Sequence, residues 1–404
     1  MTLQIQPSYR ALFALPGIPR LVGSMLLARI SSQMTSLILV LFALERYHSP
    51  GVAGAATFLS IFPGLMVSPI AGALLDRHGR TRLVVLDYAI AAFSLALIAA
   101  LALADALPVP LLLLIVTISS LTFPLSHTGV RTLFPILVPQ TLWERANAID
   151  SNGYVVSTVL GPALAGALVA YFGAPTALLV TAAFSAAAAV IALGLLDPST
   201  RTESGTLLLD AWRGLLYVVR HPSLRALAIG ISLANIGWGI FFIALPVLVL
   251  QHLGGDASYV GTLFALLGVT GFLAVLVMGR VSTRGREQGF LAGAILGQGL
   301  AFALAMFARD PILIAAVMLL LGLATGPFDV TLFTVRQRRT DPSWMGRAFA
   351  VSMALNFVGF PIGSAIAGAV VPISIPLVLL AAVTCETLGA VFAFVGVPGE
   401  DALA

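Results

Sequence analysis

The sequence predicts an all-α, polytopic membrane protein with twelve transmembrane helices in two pseudo-symmetric bundles of six. Three observations predict it: the composition, the spacing of the apolar runs and the placement of arginine. Of the 404 residues, 59% are hydrophobic and 9% are charged, and the mean hydropathy is +1.04. A soluble domain is typically about a quarter charged, and one core cannot hide this much apolar surface. The surplus apolar surface must therefore face lipid.

The apolar runs are long enough to cross a membrane twelve times. A spanning helix needs about 20 mostly apolar residues. Such runs lie at 20–44, 51–75, 83–104, 111–134, 147–172, 174–196, 225–251, 258–279, 289–308, 311–335, 346–371 and 374–396. A long polar stretch interrupts them near the middle. We therefore expect an N-terminal six-helix bundle at 1–196, a linker at 197–224 and a C-terminal six-helix bundle at 225–404.

The linker carries an apolar stripe of its own. Its members recur at helical spacing and are Leu208, Trp212, Leu215, Leu216 and Val219. This pattern predicts an amphipathic helix that lies on the cytoplasmic surface of the membrane.

Arginine supplies all 21 basic residues, and its placement predicts the topology. With a cytoplasmic N-terminus, the outside loops carry only Arg46 and Arg309. The inside loops carry Arg10, Arg20, Arg77, Arg80, Arg82, Arg145, Arg201, Arg213, Arg220, Arg225, Arg280, Arg284, Arg286, Arg336, Arg338, Arg339 and Arg347. Because cytoplasmic loops are enriched in arginine, both termini are expected in the cytoplasm. A chain rich in Arg, Ala, Leu and Gly is typical of a GC-rich bacterial genome, so the membrane would be a bacterial inner membrane.

The same placement explains the basic charge without a nucleic-acid partner. The single cysteine, Cys385, excludes a disulfide framework and a cysteine metal cluster. No P-loop is present, so ATP is not the direct energy source. We expect no cofactor, no bound metal and no clustered catalytic set, and therefore no enzyme.

Glycines in the two halves recur at a fixed offset. Gly161 and Gly166 of the fifth span correspond to Gly363 and Gly368 of the eleventh, 202 positions further on. This offset predicts a duplication, and duplicated halves around a site at the midplane are typical of transporters.

The turn between the second and third spans carries the strongest motif, Gly72-x-Leu74-x-Asp76-Arg77-x-Gly79-Arg80, followed by Arg82. In sequence and position it resembles the signature loop of the major facilitator superfamily. The resemblance implies that fold, and a loop that clamps the two halves in the outward-facing state through Asp76, Arg77, Gly79 and Arg80. The alternative is that the loop only determines topology.

Three further stretches carry a narrower resemblance. They are Ala28-Arg29-Ile30-Ser31, Arg131-x-x-x-Pro135-x-x-Val138-Pro139 with Ala146-Asn147-Ala148, and Gly161-Pro162-x-x-Ala165-Gly166. They are similar to twelve-helix exporters of the superfamily, including bacterial siderophore and macrolide efflux proteins. The resemblance implies export of a small organic compound.

Ionisable residues inside spans are candidates for function because each costs a few kcal/mol. In the superfamily the first, fourth, seventh and tenth helices line a central cavity, and Arg29 lies near the middle of the first span. Arg29 is therefore expected to bind a substrate anion or to pair with a titrating carboxylate, and a structural ion pair is the alternative. Arg131 and Asp150 lie in the same third of the bilayer. We expect them to form an ion pair that supports the signature turn, with a proton relay as the alternative.

The remaining ionisable candidates are two residues of the second half, Asp329 and Glu386, and one residue of the first half, His127, whose position corresponds to that of Asp329. His127 and Asp329 occupy positions 202 apart and suit proton coupling, with plain solvation as the alternative. Glu386, at the centre of the last span, is expected to be protonated or turned inward to a polar neighbour, as a second proton carrier.

Three neutral side chains also lie at depth in spans. Asn235, Trp238 and Asn356 are expected to line the cavity or, alternatively, to form hydrogen bonds between helices.

The sequence as a whole predicts a monomeric secondary transporter that exports a small amphipathic compound in exchange for protons, by alternating access. Its partners would be the small-molecule substrate, protons and the lipid bilayer. Uptake or facilitated transport of a small metabolite is the alternative within transporters. A non-transporting membrane sensor and a polytopic membrane enzyme are the alternatives from other classes.

Overall fold

The computed structural model describes residues 8–195, 207–341 and 344–397. Within them, the side chains of residues 69, 72, 73, 76, 135, 207–211 and 345–350 are not described. In chain order the helices are α1 (Tyr9–Phe13), α2 (Ile18–Tyr47), α3 (Pro50–His78), α4 (Arg80–Leu103), α5 (Val109–Leu137), α6 (Trp143–Phe172), α7 (Ala174–Leu193), α8 (Leu207–Arg220), α9 (Pro222–Val247), α10 (Ala257–Met278), α11 (Glu287–Ala305), α12 (Pro311–Arg338), α13 (Met345–Val370) and α14 (Ile375–Gly396).

Twelve of the helices in this described part are long and apolar enough to cross a membrane, namely α2–α7 and α9–α14. The predicted fold class is confirmed. The spans also divide where the sequence places them. Gly173, at φ +79°, separates α6 from α7, because this left-handed conformation ends a helix at little cost for a glycine.

Short polar residues begin several of the spanning helices. Asp256, Asp310 and Ser374 each accept a hydrogen bond from the backbone N–H three residues later, at the starts of α10, α12 and α14. Such N-caps satisfy backbone donors that the first helical turn leaves free.

The linker contains the predicted helix, α8. Trp212 and Val219 of its predicted apolar stripe are exposed, as a surface-lying helix requires, whereas Val218 is fully buried. Tyr217 stacks on Trp344, with ring centroids 5.0 Å apart. The first part of the linker and the side chain of Leu208 lie outside the described residues. The position of α8 on a membrane surface stays a prediction.

The chain divides into two compact units. Unit 1 contains α1, α2 up to Ile38, the part of α3 from Leu59, and α4–α7. Unit 2 contains Leu39–Phe58 and α8–α14. The predicted bundle limits at 196 and 225 differ from this division because the facing ends of α2 and α3 pack with unit 2. An example is Gly54 of α3, which lies against the backbone of Gly368 in α13.

Gly161 and Gly363, one of the glycine pairs at the 202-residue offset, make matching contacts in the two units. In unit 1, a Cβ atom added to Gly161 of α6 would lie 3.3 Å from the Ile30 carbonyl oxygen of α2. In unit 2, a Cβ atom added to Gly363 of α13 would lie 3.0 Å from the Cα atom of Ile236 in α9. Each unit thus contains a pair of helices whose backbones approach closely at a glycine, as small residues permit in membranes.

Candidate functional site

An ion pair inside unit 1 joins α2 to α6. Arg29 Nη2 lies 2.5 Å from Asp150 Oδ1, and Arg29 Nη1 donates a hydrogen bond of 2.7 Å to the Asp150 carbonyl oxygen. The two side chains are 13% and 18% exposed. Gly153 leaves room for the guanidinium, since a Cβ atom there would lie 3.1 Å from Arg29 Nη1. Asp150 therefore binds Arg29 with both its side chain and its backbone.

Tyr154, one turn beyond Asp150, connects this ion pair to α5. The Arg29 guanidinium lies 3.7 Å from the centroid of the Tyr154 ring, a cation–π distance. The Tyr154 hydroxyl forms a hydrogen bond of 2.9 Å with His127 Nε2. Sequence reasoning missed Tyr154, because a tyrosine within an apolar run gives no signal until its neighbours are known.

Arg131, one turn beyond His127 on α5, completes the cluster. Its Nε atom lies 3.9 Å from Asp150 Oδ2, and its guanidinium lies 5.2 Å from the centroid of the Tyr154 ring. The structure thus brings together Arg29, His127, Arg131 and Asp150. Asp150 lies near Arg131, as expected from the sequence, but its closer partner is Arg29, a pairing that the sequence did not predict.

Polar side chains are exposed along the same faces of α5 and α6. They are His127 and Arg131 on α5, and Asn147, Ser151 and Thr158 on α6. Within spanning helices such groups face the interior or a water-filled space, because lipid cannot solvate them. This face of unit 1 is therefore suited to contact water or a solute.

A buried carboxyl group of unit 1 was also missed. Asp87 of α4 is 5% exposed and accepts a hydrogen bond of 2.7 Å from Thr122 Oγ1 of α5. Its position inside the predicted span at 83–104 was a sufficient signal, since an ionisable residue within a span is a functional candidate by default.

The signature turn lies at the α3–α4 junction of unit 1. Gly79 has a φ of +93°, Arg77 is exposed and Arg80 begins α4. The side chain of Asp76 lies outside the described residues. Gly129 of α5 packs against residues on both sides of the turn, Leu75 and Val84. The turn is therefore connected to the helix that carries His127 and Arg131.

Unit 2 holds an acidic group of a different kind. Glu386 of α14 is fully buried, and neither of its carboxyl oxygens has a hydrogen-bond partner in the described part of the chain. A Cβ atom at Gly237 of α9 would lie 2.9 Å from Glu386 Oε1, and one at Gly299 of α11 would lie 3.1 Å from Glu386 Cβ. These two glycines make room for the carboxyl group between α9 and α11. We call this space the Glu386 niche.

The neutral candidates of unit 2 form hydrogen bonds within or between helices. Trp238 Nε1 donates to Gln298 Oε1 at 3.0 Å and so joins α9 to α11 beside the niche. Asn235 Nδ2 donates to the Ile231 carbonyl oxygen of its own helix at 3.0 Å. Asp329 of α12 is half-buried and makes no hydrogen bond or ion pair with any residue that the structure describes.

Asn356 contacts a buried arginine. With its amide oxygen turned toward Arg336, Asn356 accepts a hydrogen bond of 2.6 Å from Arg336 Nη2 and donates one of 3.0 Å to the Ser352 carbonyl oxygen. Arg336 is fully buried, and its Nη1 lies 2.8 Å from Met353 Sδ. The sequence places Arg336 in a loop, which is wrong because α12 continues to Arg338 and packs Arg336 against α13.

Among the described residues, no group of three His, Cys, Asp or Glu side chains could hold a metal ion. A cavity of about 340 Å³ in unit 2 is lined by His48, Gln251 and His252, among others, and none of the candidate residues lines it.

Comparisons with known proteins identify the relatives of the chain. A family model described as Major Facilitator Superfamily matches residues 21–231 and 227–403. An uncharacterised MFS-type transporter of Sinorhizobium fredii is 37% identical over 402 residues, covering 96% of this chain and 97% of that protein. The multidrug efflux pump Tap of Mycolicibacterium fortuitum is 25% identical over 330 residues, covering 78% and 80%.

A solved structure shows the same fold. The crystal structure of a peptide transporter POT superposes with a TM-score of 0.75 at 13% identity, covering 96% of this chain and 95% of that one. At that identity the similarity concerns the fold alone.

Proposed function

Because the chain belongs to the Major Facilitator Superfamily, we propose that it is a proton-coupled exporter of small amphipathic organic compounds that works by alternating access. The resemblance seen in the signature turn is confirmed, and the chain is a multi-pass membrane transporter rather than an enzyme. We propose three further properties: the class of the substrate, export as the direction of transport, and coupling to protons.

The observation that carries the proposal is the polar face of α5 and α6. Its exposed groups and the Arg29–Asp150 pair lie in helices that span the membrane. A solute that crosses the membrane needs such a water-accessible, partly charged surface, and a purely structural helix pair does not. The aromatic rings of Phe123 and Tyr154 beside it suit an amphipathic solute rather than a sugar.

Proton coupling is supported by acidic groups without a cationic partner. Asp150 is paired with Arg29, and Glu287 is paired with Arg338 at 2.6 Å. Glu386 and Asp329 form no ion pair with the residues that the structure describes. A carboxyl group in that setting is neutral when it binds a proton, and it gains a charge that must be solvated when it loses one. Such a group can couple its protonation to a change of conformation.

Gating would involve the signature turn. We propose that Arg77, Gly79 and Arg80, with Asp76, change their contacts during the transport cycle. Gly129 would transmit that change to the site through α5. We further propose a monomer in a bacterial inner membrane with both termini in the cytoplasm, from the arginine asymmetry.

Export, rather than uptake, is supported by a relative that is an efflux pump. The test is transport by the purified chain in proteoliposomes under an imposed pH gradient. The probes are two cationic dyes, Hoechst 33342 and rhodamine 6G, and one anionic dye, 8-anilinonaphthalene-1-sulfonate. We expect at least one dye to move faster with the gradient, against the proton flux, and this acceleration to vanish when nigericin collapses the gradient.

The matched variants are Glu386→Gln, Asp329→Asn and, as a control, Glu144→Gln at an exposed position in the first turn of α6. At least one of the first two should lose the acceleration, while the control should keep it. Movement of the dyes with the protons would indicate uptake. Movement without any effect of the gradient would indicate facilitated transport, and either result would contradict the proposal.

A further inference from the structure

The two arginines of the unit 1 cluster differ in how far their hydrogen-bonding capacity is used. Arg29 donates to Asp150 through both terminal nitrogens, at 2.7 and 2.5 Å, and stacks on Tyr154. Its side chain is only 13% exposed. Little of its guanidinium remains available to another anion. The anion that binds Arg29 is therefore the Asp150 carboxylate of the protein itself.

The hydrogen-bonding capacity of Arg131, by contrast, is largely unused. Its side chain is 48% exposed, and it approaches Asp150 only through Nε, at 3.9 Å, which is too long for a hydrogen bond. Among the described residues it donates no hydrogen bond. A guanidinium presents five donors in a planar fork that matches a carboxylate in two parallel hydrogen bonds. The fork of Arg131 is thus available on the exposed face of α5.

Among the described side chains, the charges of the cluster leave one positive charge unbalanced. Arg29 and Arg131 face a single ion-paired carboxylate, that of Asp150. Asp87 is the other carboxyl group nearby, but it bonds to Thr122 and forms no ion pair with either arginine among the residues described. A cation that shares its carboxylate with a second arginine is incompletely neutralised, which is costly within a span, and a bound anion would relieve that cost.

The neighbours of Arg131 define the rest of the ligand. Phe123, His127 and Arg131 lie one turn apart on α5, and all three are exposed. The rings of Phe123 and His127 are 5.5 Å apart, and His127 also bonds to the Tyr154 hydroxyl. An apolar or aromatic body would lie along these rings while its acidic group reaches the guanidinium.

We propose that Arg131, with Phe123, His127 and Tyr154, forms the binding site for the acidic group and aromatic body of the substrate, so that the transported compound is an organic anion. The proposal rests on the transporter function proposed above and names its substrate class. It also gives Arg131 a direct contact with the substrate in place of a purely structural ion pair.

The experiment measures binding, so its outcome is independent of whether a proton gradient drives transport. Three probes share one ring system and differ in charge: 1-naphthylacetate, neutral 1-naphthylacetamide and cationic 1-naphthylmethylammonium. Their affinities for the purified full chain in detergent are measured by isothermal titration calorimetry at neutral pH. We expect the acetate to bind at least about tenfold more tightly than the other two, the factor expected of charge-assisted hydrogen bonds.

Variants assign the preference to one side chain. Arg131→Gln should abolish the preference for the acetate, and Arg131→Lys should keep part of it, because a lysine retains the charge but lacks the fork. Arg309→Gln, at an exposed loop position, is the control and should match the wild type. Thermal unfolding of each variant checks folding, and the comparison of the three probes on the wild type needs no variant.

Three results would overturn the proposal: no binding of the acetate, equal binding of all three probes, or a preference that survives in folded Arg131→Gln. If instead the acetate binds as expected but no dye responds to a pH gradient, the anion site stands and the proposed proton-coupled export fails.

Discussion

The polar face of unit 1 and the Glu386 niche of unit 2 show two ways to hold an ionisable group within a membrane. In unit 1, Asp150 is partly exposed and paired with Arg29. In unit 2, Glu386 is fully buried and has no hydrogen-bond partner among the described residues. A carboxylate keeps its charge when a cation and water surround it, whereas an isolated buried one is stable only when neutral. The first arrangement suits contact with a solute, and the second suits storage of a proton.

The repeat makes this difference sharper. Asp150 and Ser352 occupy matching positions at the 202-residue offset, as do Tyr154 and Asn356. In unit 1 both positions contact Arg29, whereas in unit 2 Asn356 contacts Arg336 and donates a hydrogen bond to the Ser352 carbonyl oxygen. An arginine contact at the second position is thus common to both units, while the carboxylate and phenol of unit 1 correspond to a hydroxyl residue and an amide in unit 2.

The largest expected effect on stability comes from breaking the ion pair of unit 1. Asp150→Asn leaves Arg29 buried beside a neutral amide. Breaking a buried pair costs about 3–5 kcal/mol, and the 13–18% exposure of these side chains favours the lower end. The measurement is the free energy of unfolding in detergent micelles. The double variant Arg29→Gln/Asp150→Asn should be less destabilised than the sum of its single variants, and simple additivity would contradict the pairing.

The next effect tests what the two units share. Gly161→Ala and Gly363→Ala each place a methyl group against a neighbouring helix, so each should destabilise by about 1–3 kcal/mol. The control is Gly293→Ala in α11, where the added Cβ atom meets nothing within 4 Å. That variant should be neutral, or stabilising by up to about 1 kcal/mol, because alanine favours the helix. A large effect at only one of the first two glycines would break the correspondence between the units.

A smaller stability change is expected in the Glu386 niche. Glu386→Gln replaces a neutral carboxyl group by an amide of similar shape, so the free energy of unfolding should change by less than about 1.5 kcal/mol. Loss of the acceleration of transport by a pH gradient in this variant, with continued exchange of substrate without a gradient, would assign the coupled proton to Glu386 rather than to Asp329. A large loss of stability would show that the carboxyl group is charged, and it would remove the contrast with Asp150.

The smallest expected effect concerns His221, which lies outside both regions, between α8 and α9. Its titration contributes to the pH dependence of stability and has to be known before the contribution of the spans is assigned. Burial, and to a lesser extent the positive charge of Arg339, lowers the pKa of His221 below its usual 6.5. As the pH falls, the unfolded chain therefore binds a proton at His221 at a higher pH than the folded chain does. Stability from this residue is present above pH 6.5 and is lost as the pH falls below it.

The variant His221→Gln should accordingly reduce the fall in Tm between pH 7 and pH 5 by a small amount. Identical pH profiles of the variant and the wild type would contradict the assigned shift. With this background known, the remaining pH dependence can be attributed to groups within the spans.

The sequence by itself determined the membrane class, the twelve spans and the family. These properties depend on quantities that run along the chain: the length of apolar runs, the arginine content of loops and the residue order of the signature turn. It also determined the matching glycines, because a fixed offset of 202 is visible without any structure.

Only the tertiary structure decided which charged groups meet. Arg29 and Asp150 are 121 residues apart, and the sequence gives their depth in the bilayer but not the rotation of α2 relative to α6. The same holds for Glu386, whose inward orientation depends on glycines in α9 and α11. The physical reason is that hydropathy is a property of single helices, whereas the pairing or isolation of a charge depends on which helix faces are packed together.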